Sequence, residues 1–316
     1  MKLISILSPC YNEVECIEDV YRQVRAAMAS LPSYDYEHVF IDNNSTDGTI
    51  PALRRLAGQD KKVKVIINAR NFGHVRSPFH GLLQAKGDAV IGIASDLQDP
   101  PEMIPAFVKK WEEGYKIVIG IKTKSKENFI VFGLRKMFYR LIKLLSETEQ
   151  IKNFTGFGLY DRTVIDLIRQ FDDPYPYFRG LISEIGFERA EIEFTQPKRK
   201  KGRTKNNFYT LYDLAMLGFV NHSKLPLRMA SFIGFIVAFA SLLVAIGYFI
   251  YKLIYWKSFQ VGSAPLVVGL FFFAAVQLFF IGIIGEYIGA IYTQVKKRPL
   301  VIEKERINFD KDLNIT

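Results

Sequence analysis

The sequence predicts an α/β protein, a mostly parallel sheet covered by helices, followed by two helices that cross a membrane. Two observations carry this reading. Residues 1–122 switch repeatedly between short apolar runs and helical periodicity, the pattern of an open sheet covered on both faces. Met229–Tyr251 and Ser258–Gly285 contain no charged residue. Each is long enough to cross about 30 Å of hydrocarbon at about 1.5 Å per residue.

The elements follow in order. Leu3–Ser8 is an apolar run that ends at Pro9, and Ile17, Val20, Val24, Ala27 and Leu31 then recur at helical spacing. His38–Asp42 (HVFID) is the second strand, followed by the turn-rich NNSTDGT and a helix through Leu53 and Leu56. Val63–Ile67 and Ala89–Ala94 are further strands, with a helix around Phe79–Ala85 between them. Glu102–Glu113 is a helix that Asp99 would cap ahead of Pro100 and Pro101. Lys116–Ile121 closes the series. The expected organisation is an α/β domain over 1–205, an interfacial helix and connection over 206–228, a two-helix membrane region over 229–292 and a tail over 293–316.

Ligands of open α/β sheets bind beyond the carboxyl ends of the strands, so the strand ends carry the chemistry. They read SPCYNE (Ser8–Glu13), IDNNSTDGT (Ile41–Thr49), NARNFGH (Asn68–His74) and SDLQDPP (Ser95–Pro101). All are polar. Asp96 and Gln98 offer hard oxygen ligands suited to Mg²⁺ or Mn²⁺. No G-x-G-x-x-G follows the first strand and no G-x-x-x-x-G-K-[ST] occurs, so dinucleotide and P-loop readings lose their support.

The net charge is +10, and the excess is concentrated: six of the eight residues of Lys198–Lys205 (KRKKGRTK) are basic. Anionic lipid, nucleic acid, a phosphate-bearing substrate or plain solvation could each explain such a run. Because it abuts the first apolar span, lipid or a lipid phosphate is the nearer partner, and nucleic acid is not expected. Cys10 and Cys16 have no ligand partners nearby in sequence and read as reduced thiols. Leu3–Leu7 is too short for a secretory signal. Basic residues cluster before the first span and, at Lys296, Lys297 and Arg298, after the second, whereas only Lys252 and Lys257 lie between them. Both termini are therefore expected in the cytoplasm. Asn128–Ser146 and Asn207–Val220 are amphipathic and read as interfacial helices.

PCYNE, IDNNSTDGT, RNFGH, KGD (Lys86–Asp88) and SDLQDPPE, in this order, resemble family 2 glycosyltransferases of the GT-A fold. With two C-terminal spans added, the chain is most similar to the polyprenyl-phosphate group, which includes dolichol-phosphate mannose synthases and bactoprenol glucosyltransferases. The resemblance implies that Pro9, Tyr11, Glu13, Asp42 and Arg70 line the nucleotide pocket. It implies that Asp96 is catalytic and, with Gln98, holds the metal. Gly202–Lys205 matches a Gly-x-Ser/Thr-Lys element, so Arg203 and Lys205, joined by Arg135, are the candidate acceptor-phosphate ligands. Asp47 and Gly48 read as turn formers, and His74 as a packing or capping residue.

Two departures stand out. Ala94 replaces the first aspartate of the usual Asp-x-Asp-x-Gln, and Gly156 and Gly158 stand where some relatives carry Asp and Arg. The expected reaction is inverting transfer of a sugar to polyprenyl phosphate at the cytoplasmic membrane face, with UDP-glucose and undecaprenyl phosphate preferred. A GDP-mannose-dependent mannosyltransferase and a non-catalytic sugar-nucleotide-binding membrane protein are the alternatives. A processive polysaccharide synthase would show Gln-x-x-Arg-Trp, and neither Trp111 nor Trp256 follows an arginine. The oligomeric state stays open, a homo-oligomer included.

Overall fold

The computed structural model describes residues 1–123, 151–197, 225–255 and 263–309. Within these, eight strands form one mixed sheet. In chain order they are β1 (Lys2–Cys10), β2 (Tyr34–Asp42), β3 (Val63–Asn68), β4 (Ala89–Gly92), β5 (Ile117–Lys122), β6 (Phe154–Asp161), β7 (Arg189–Phe194) and β8 (Glu303–Ile307). The helices are α1 (Val14–Ala29), α2 (Thr49–Gln59), α3 (Gly73–Gln84), α4 (Ile104–Glu112), α5 (Arg162–Gln170), α6 (Phe178–Ile185), α7 (Leu225–Ile254) and α8 (Ser263–Val295). Across the sheet the strands run β7-β5-β6-β4-β1-β2-β3-β8. The centre, β4-β1-β2-β3, is parallel, while β6 runs antiparallel between β4 and β5. The expected GT-A-like fold class is observed.

The central strands are apolar on both faces because both are covered, as parallel strands require. Ile4, Ile6, Phe40 and Val65 pack with α1, α2 and α4, whose Ile17, Leu53 and Phe107 are fully buried. Leu7, Val39, Ile41 and Val90 face α3, α5 and α6 through Phe79, Ile165 and Leu181. Truncating a side chain such as Phe107 to Ala would cost about 3–5 kcal/mol. In α1 the buried residues Cys16, Ile17, Val20, Val24 and Met28 keep the helical spacing read from the sequence.

Leu227–Tyr251 and Gly269–Val295 are long and apolar enough to cross a membrane, and neither is buried against the rest of the protein. Phe235 and Leu278 are about three-quarters and two-thirds exposed, the state of side chains that require an apolar solvent. The first helix is described from Leu225, ahead of the expected span start at Met229, and Pro226 is tolerated in a first turn.

The tail expectation needs correction. After α8 the chain returns to the sheet, and β8 pairs antiparallel with β3, Val65 opposite Ile307 and Asn68 opposite Glu303. Its charges hid it in the sequence, yet three of the four, on Glu303, Glu305 and Arg306, are matched. Glu303 receives His80 Nε2 at 2.5 Å and Arg306, and Glu305 meets Arg54 at 2.5 Å. A charged strand suits a sheet edge. The expected interfacial helices Asn128–Ser146 and Asn207–Val220 lie outside the described residues.

Candidate active site

The parallel register brings the strand ends to one edge: Cys10 lies opposite Asp42, and Leu7 opposite Gly92. Each connection that follows is held by its own short polar side chains. Asn12, at φ 55°, accepts from the Thr46 N–H at 2.7 Å and donates its own N–H to Ser45 Oγ at 2.8 Å. The Glu13 N–H donates to Thr49 Oγ1 at 3.0 Å. Asp47 accepts from the Thr49 N–H at 2.9 Å and from the Val14 N–H at 3.3 Å, which gives it the turn-forming role expected. Burial alone would raise its carboxyl, but the Thr49 and backbone bonds hold it below the usual range. On the other side Asn43 Oδ1 accepts from the Phe72 N–H at 2.8 Å and from Asn68 Nδ2 at 3.2 Å. These loops form one laced surface.

Asp42 takes a different place from the one expected. It is fully buried, and its oxygens accept the Ser45 N–H at 2.8 Å and the Ser45 hydroxyl at 2.5 Å. Burial raises its carboxyl against those bonds. It therefore shapes the Asn43–Thr49 loop rather than presenting a carboxylate to a ligand. Pro9, Tyr11 and Glu13 are half-buried along the first connection, open to a ligand at the edge. Arg70 is exposed and stacked on Phe72, with 4.1 Å from guanidinium to ring centre, so its charge is displayed outward. His74 is exposed at a cavity rim rather than packed.

After β4, Leu97 adopts φ 59° and tucks into the core, 6% exposed. This leaves Asp96 and Gln98 half-buried at the edge, the Gln98 N–H donating to Asp96 Oδ1 at 3.1 Å. Among the described residues no three His, Cys, Asp or Glu side chains gather as a cation cage. One carboxylate and one amide still fit a Mg²⁺-type ion, which keeps water and substrate phosphate as most of its ligands.

Asp99 also departs from expectation. It caps no helix; Oδ2 accepts the Ala94 N–H at 3.0 Å, closing the loop back on itself. Burial pushes its carboxyl up to about 6, against that N–H, and the charge of Asp96 adds to the rise. Asp99 lines a cavity of about 280 Å³ that also touches Pro9, Ala94, Gly156, Tyr160 and Arg179. Tyr160 is buried and donates its O–H to the Gly156 carbonyl at 2.8 Å. Gly156 adopts φ +101°, a conformation L side chains rarely reach. Gly158 has another reason: a Cβ there would lie 2.4 Å from the Val118 carbonyl oxygen. It serves strand packing, and only Gly156 faces the cavity.

The sequence reading missed Asp99 and Arg179 as cavity residues. A buried carboxylate beside prolines looks like a cap, and Arg179 sits in an aromatic stretch, Tyr175–Phe178, whose period is too short to read. Arg135, Arg203 and Lys205 lie outside the described residues.

Comparisons with known proteins bear on the same surface. The family described as glycosyl transferase family 2 matches residues 5–169, which span the β1 to β6 edge. Glycosyltransferase YkcC of Bacillus subtilis is 35% identical over 311 residues, covering 97% of this chain and 94% of that protein. A prophage-derived bactoprenol glucosyl transferase of Shigella flexneri is 35% identical over 303 residues, covering 96% and 97%. A prophage bactoprenol glucosyl transferase homolog of Escherichia coli is 33% identical over 302 residues, covering 95% and 98%.

Proposed function

We propose that this chain, which belongs to glycosyl transferase family 2, transfers glucose from UDP-glucose to undecaprenyl phosphate at the cytoplasmic face of a membrane. The observation that carries the reading is the placement of Asp96 and Gln98 on the turn beside the cavity, at the same edge as Pro9, Tyr11 and Glu13. Similarity in length and sequence to proteins named for bactoprenol glucosyl transfer supports the acceptor class.

The residues divide the work. Pro9, Tyr11 and Glu13 flank the nucleotide, with Asn12, Ser45 and Asp42 holding the loops rigid, so that binding is preorganised. Asp96 and Gln98 would hold a divalent cation, Mg²⁺ or Mn²⁺, which when bound neutralises the departing diphosphate. Arg203 and Lys205, with Arg135, position the acceptor. A phosphate monoester has its second pKa near 6 and is largely dianionic at neutral pH, so it is nucleophilic without a base. This fits Gly156 and Gly158 where some relatives carry acidic and basic side chains. Attack on the anomeric carbon opposite the diphosphate inverts configuration, and the C–O bond to the diphosphate breaks as the new one forms. Positioning and charge neutralisation supply the acceleration.

The apolar α7 and α8 and the basic flanks of both spans support membrane residence with both termini cytoplasmic. Purified full-length protein, given radiolabelled UDP-glucose, Mg²⁺ and undecaprenyl phosphate, should yield an organic-extractable labelled product. Labelling from GDP-mannose alone would move the reading to a mannosyltransferase. Binding of sugar nucleotide with no product from any donor would make it a non-catalytic binder.

A further inference from the structure

We propose that Asp99 binds the transferred sugar, its carboxylate accepting hydroxyls of the hexose in the cavity between β4, β6, α3 and α6. The inference rests on the donor reading given above and names a specificity-determining residue for it. The cavity, about 280 Å³, is at or below the usual range of about 300–1,000 Å³ for whole small-molecule ligands. It suits one sugar ring rather than an entire nucleotide sugar. Pro9, at the end of β1, and Ala94, two residues before Asp96, both line it. A diphosphate held at Asp96 would set its sugar beside this cavity.

The lining matches that occupant. Phe79, Phe157 and Phe178 give apolar surface, and the convergent polar groups are few, as such sites require. Arg179 can only donate. Tyr160 has already committed its hydroxyl proton to the Gly156 carbonyl at 2.8 Å. Asp99 is the carboxylate among the cavity residues, 7% exposed; among the described residues its one hydrogen-bond donor is the Ala94 N–H on Oδ2 at 3.0 Å, with the charge of Lys122 also acting on it. A carboxylate offers about four acceptor sites, and burying one with so few donors is costly. Sugar hydroxyls entering the cavity would supply the missing donors. Ala94 presents only a methyl at that point, so nothing larger crowds the approach.

The competing role is purely structural, a clamp that closes the Ala94–Asp99 loop. Asp99→Asn separates the two, because the amide oxygen can still accept the Ala94 N–H while the charge is lost. Binding of UDP and of UDP-glucose to the detergent-solubilised full chain in Mg²⁺ is measured by calorimetry, without acceptor. Asp99→Asn should weaken UDP-glucose by about 10- to 100-fold, the worth of charge-assisted hydrogen bonds, and leave UDP unchanged. An unchanged UDP-glucose affinity, or an equal loss for both ligands, overturns the assignment. Should the variant fail to fold, the wild type is titrated with UDP-deoxyglucose donors. Removal of the contacted hydroxyl should then cost a similar factor, and equal affinity for every deoxy donor and for UDP overturns it. The transfer reading fails separately: no lipid-linked product together with a selective UDP-glucose loss in Asp99→Asn refutes transfer and keeps the sugar contact.

Discussion

Glu303→Gln tests whether the C-terminal strand is a built part of the catalytic sheet. Glu303 is buried to 7% side-chain exposure beside His80 Nε2 at 2.5 Å and Arg306, whose Nη2 lies 2.6 Å from Oε1. Burial alone would raise this carboxyl, but the hydrogen bonds and charges of His80 and Arg306 hold it at about 2, against an ordinary 4.5. At about 1.4 kcal/mol per pH unit that difference is worth up to about 3 kcal/mol. Partial exposure of His80 (16%) and Arg306 (20%) screens the pair, leaving about 2 kcal/mol. The folded-state value is depressed, so the contribution is present above about pH 4.5 and is lost as pH falls towards 2. Thermal unfolding of the solubilised full chain should therefore show Glu303→Gln melting about 4–8 °C lower at pH 7. The gap should narrow steadily between pH 4.5 and pH 3. Equal melting at pH 7, or a gap that does not narrow on acidification, would refute the latch.

Further outcomes follow from the same geometry. Asp96→Asn keeps shape and removes the anionic ligand, so turnover at limiting Mg²⁺ should fall by at least about 100-fold; near-normal turnover would remove Asp96 from the metal site. Arg203→Ala and Lys205→Ala should each raise the acceptor KM or lower kcat by roughly 10-fold or more. Nucleotide-sugar affinity should stay the same, and its loss instead would reassign both residues to the donor. Gly158→Ala forces a Cβ to 2.4 Å from the Val118 carbonyl and should lower stability by about 1–3 kcal/mol; an unchanged melting temperature would show that β5 and β6 can part freely. Cysteine placed at Ser263 should react with an impermeant reagent outside intact cells, and one at Lys304 should not. Cys10 and Cys16 are buried and contribute little background.

The parallel core was legible because local and tertiary demands coincide there. Ile4–Leu7 and Val39–Ile41 are apolar on both faces since both faces are covered, and the polar ends mark where cover stops. The exposure of the turn after β4 was legible for a related reason: Asp96 and Gln98 flank a buried Leu97, an alternation visible in SDLQD. Asp42 and Asp99 were misread because sequence shows a carboxylate but not which donors reach it. Ser45, three residues away, takes Asp42, and the Ala94 N–H, five residues back, takes Asp99. The constraint on Gly158 was not legible for the opposite reason, since it comes from a strand some 40 residues earlier.

β8 was the least legible element, and it has the largest consequence for how the molecule is arranged. EKERI (Glu303–Ile307) reads as a solvated charge run, yet Glu303, Glu305 and Arg306 are answered from α2, α3 or their own strand. Its pairing with β3 ties the chain beyond α8 to the same sheet that begins at Lys2. Two crossings would bring the chain back to the side it left, as this pairing requires; which side that is rests on Lys and Arg placement alone. The strap also runs against the cavity wall. Arg76 of α3 donates to the Pro299 carbonyl at 2.5 Å, and Gln294 near the end of α8 donates to Asp173 at 3.0 Å. Asp173 lies in the short loop leading to Tyr177 and Arg179, and α3 carries Phe79. Two walls of the sugar cavity are thus fixed to the base of the apolar helices.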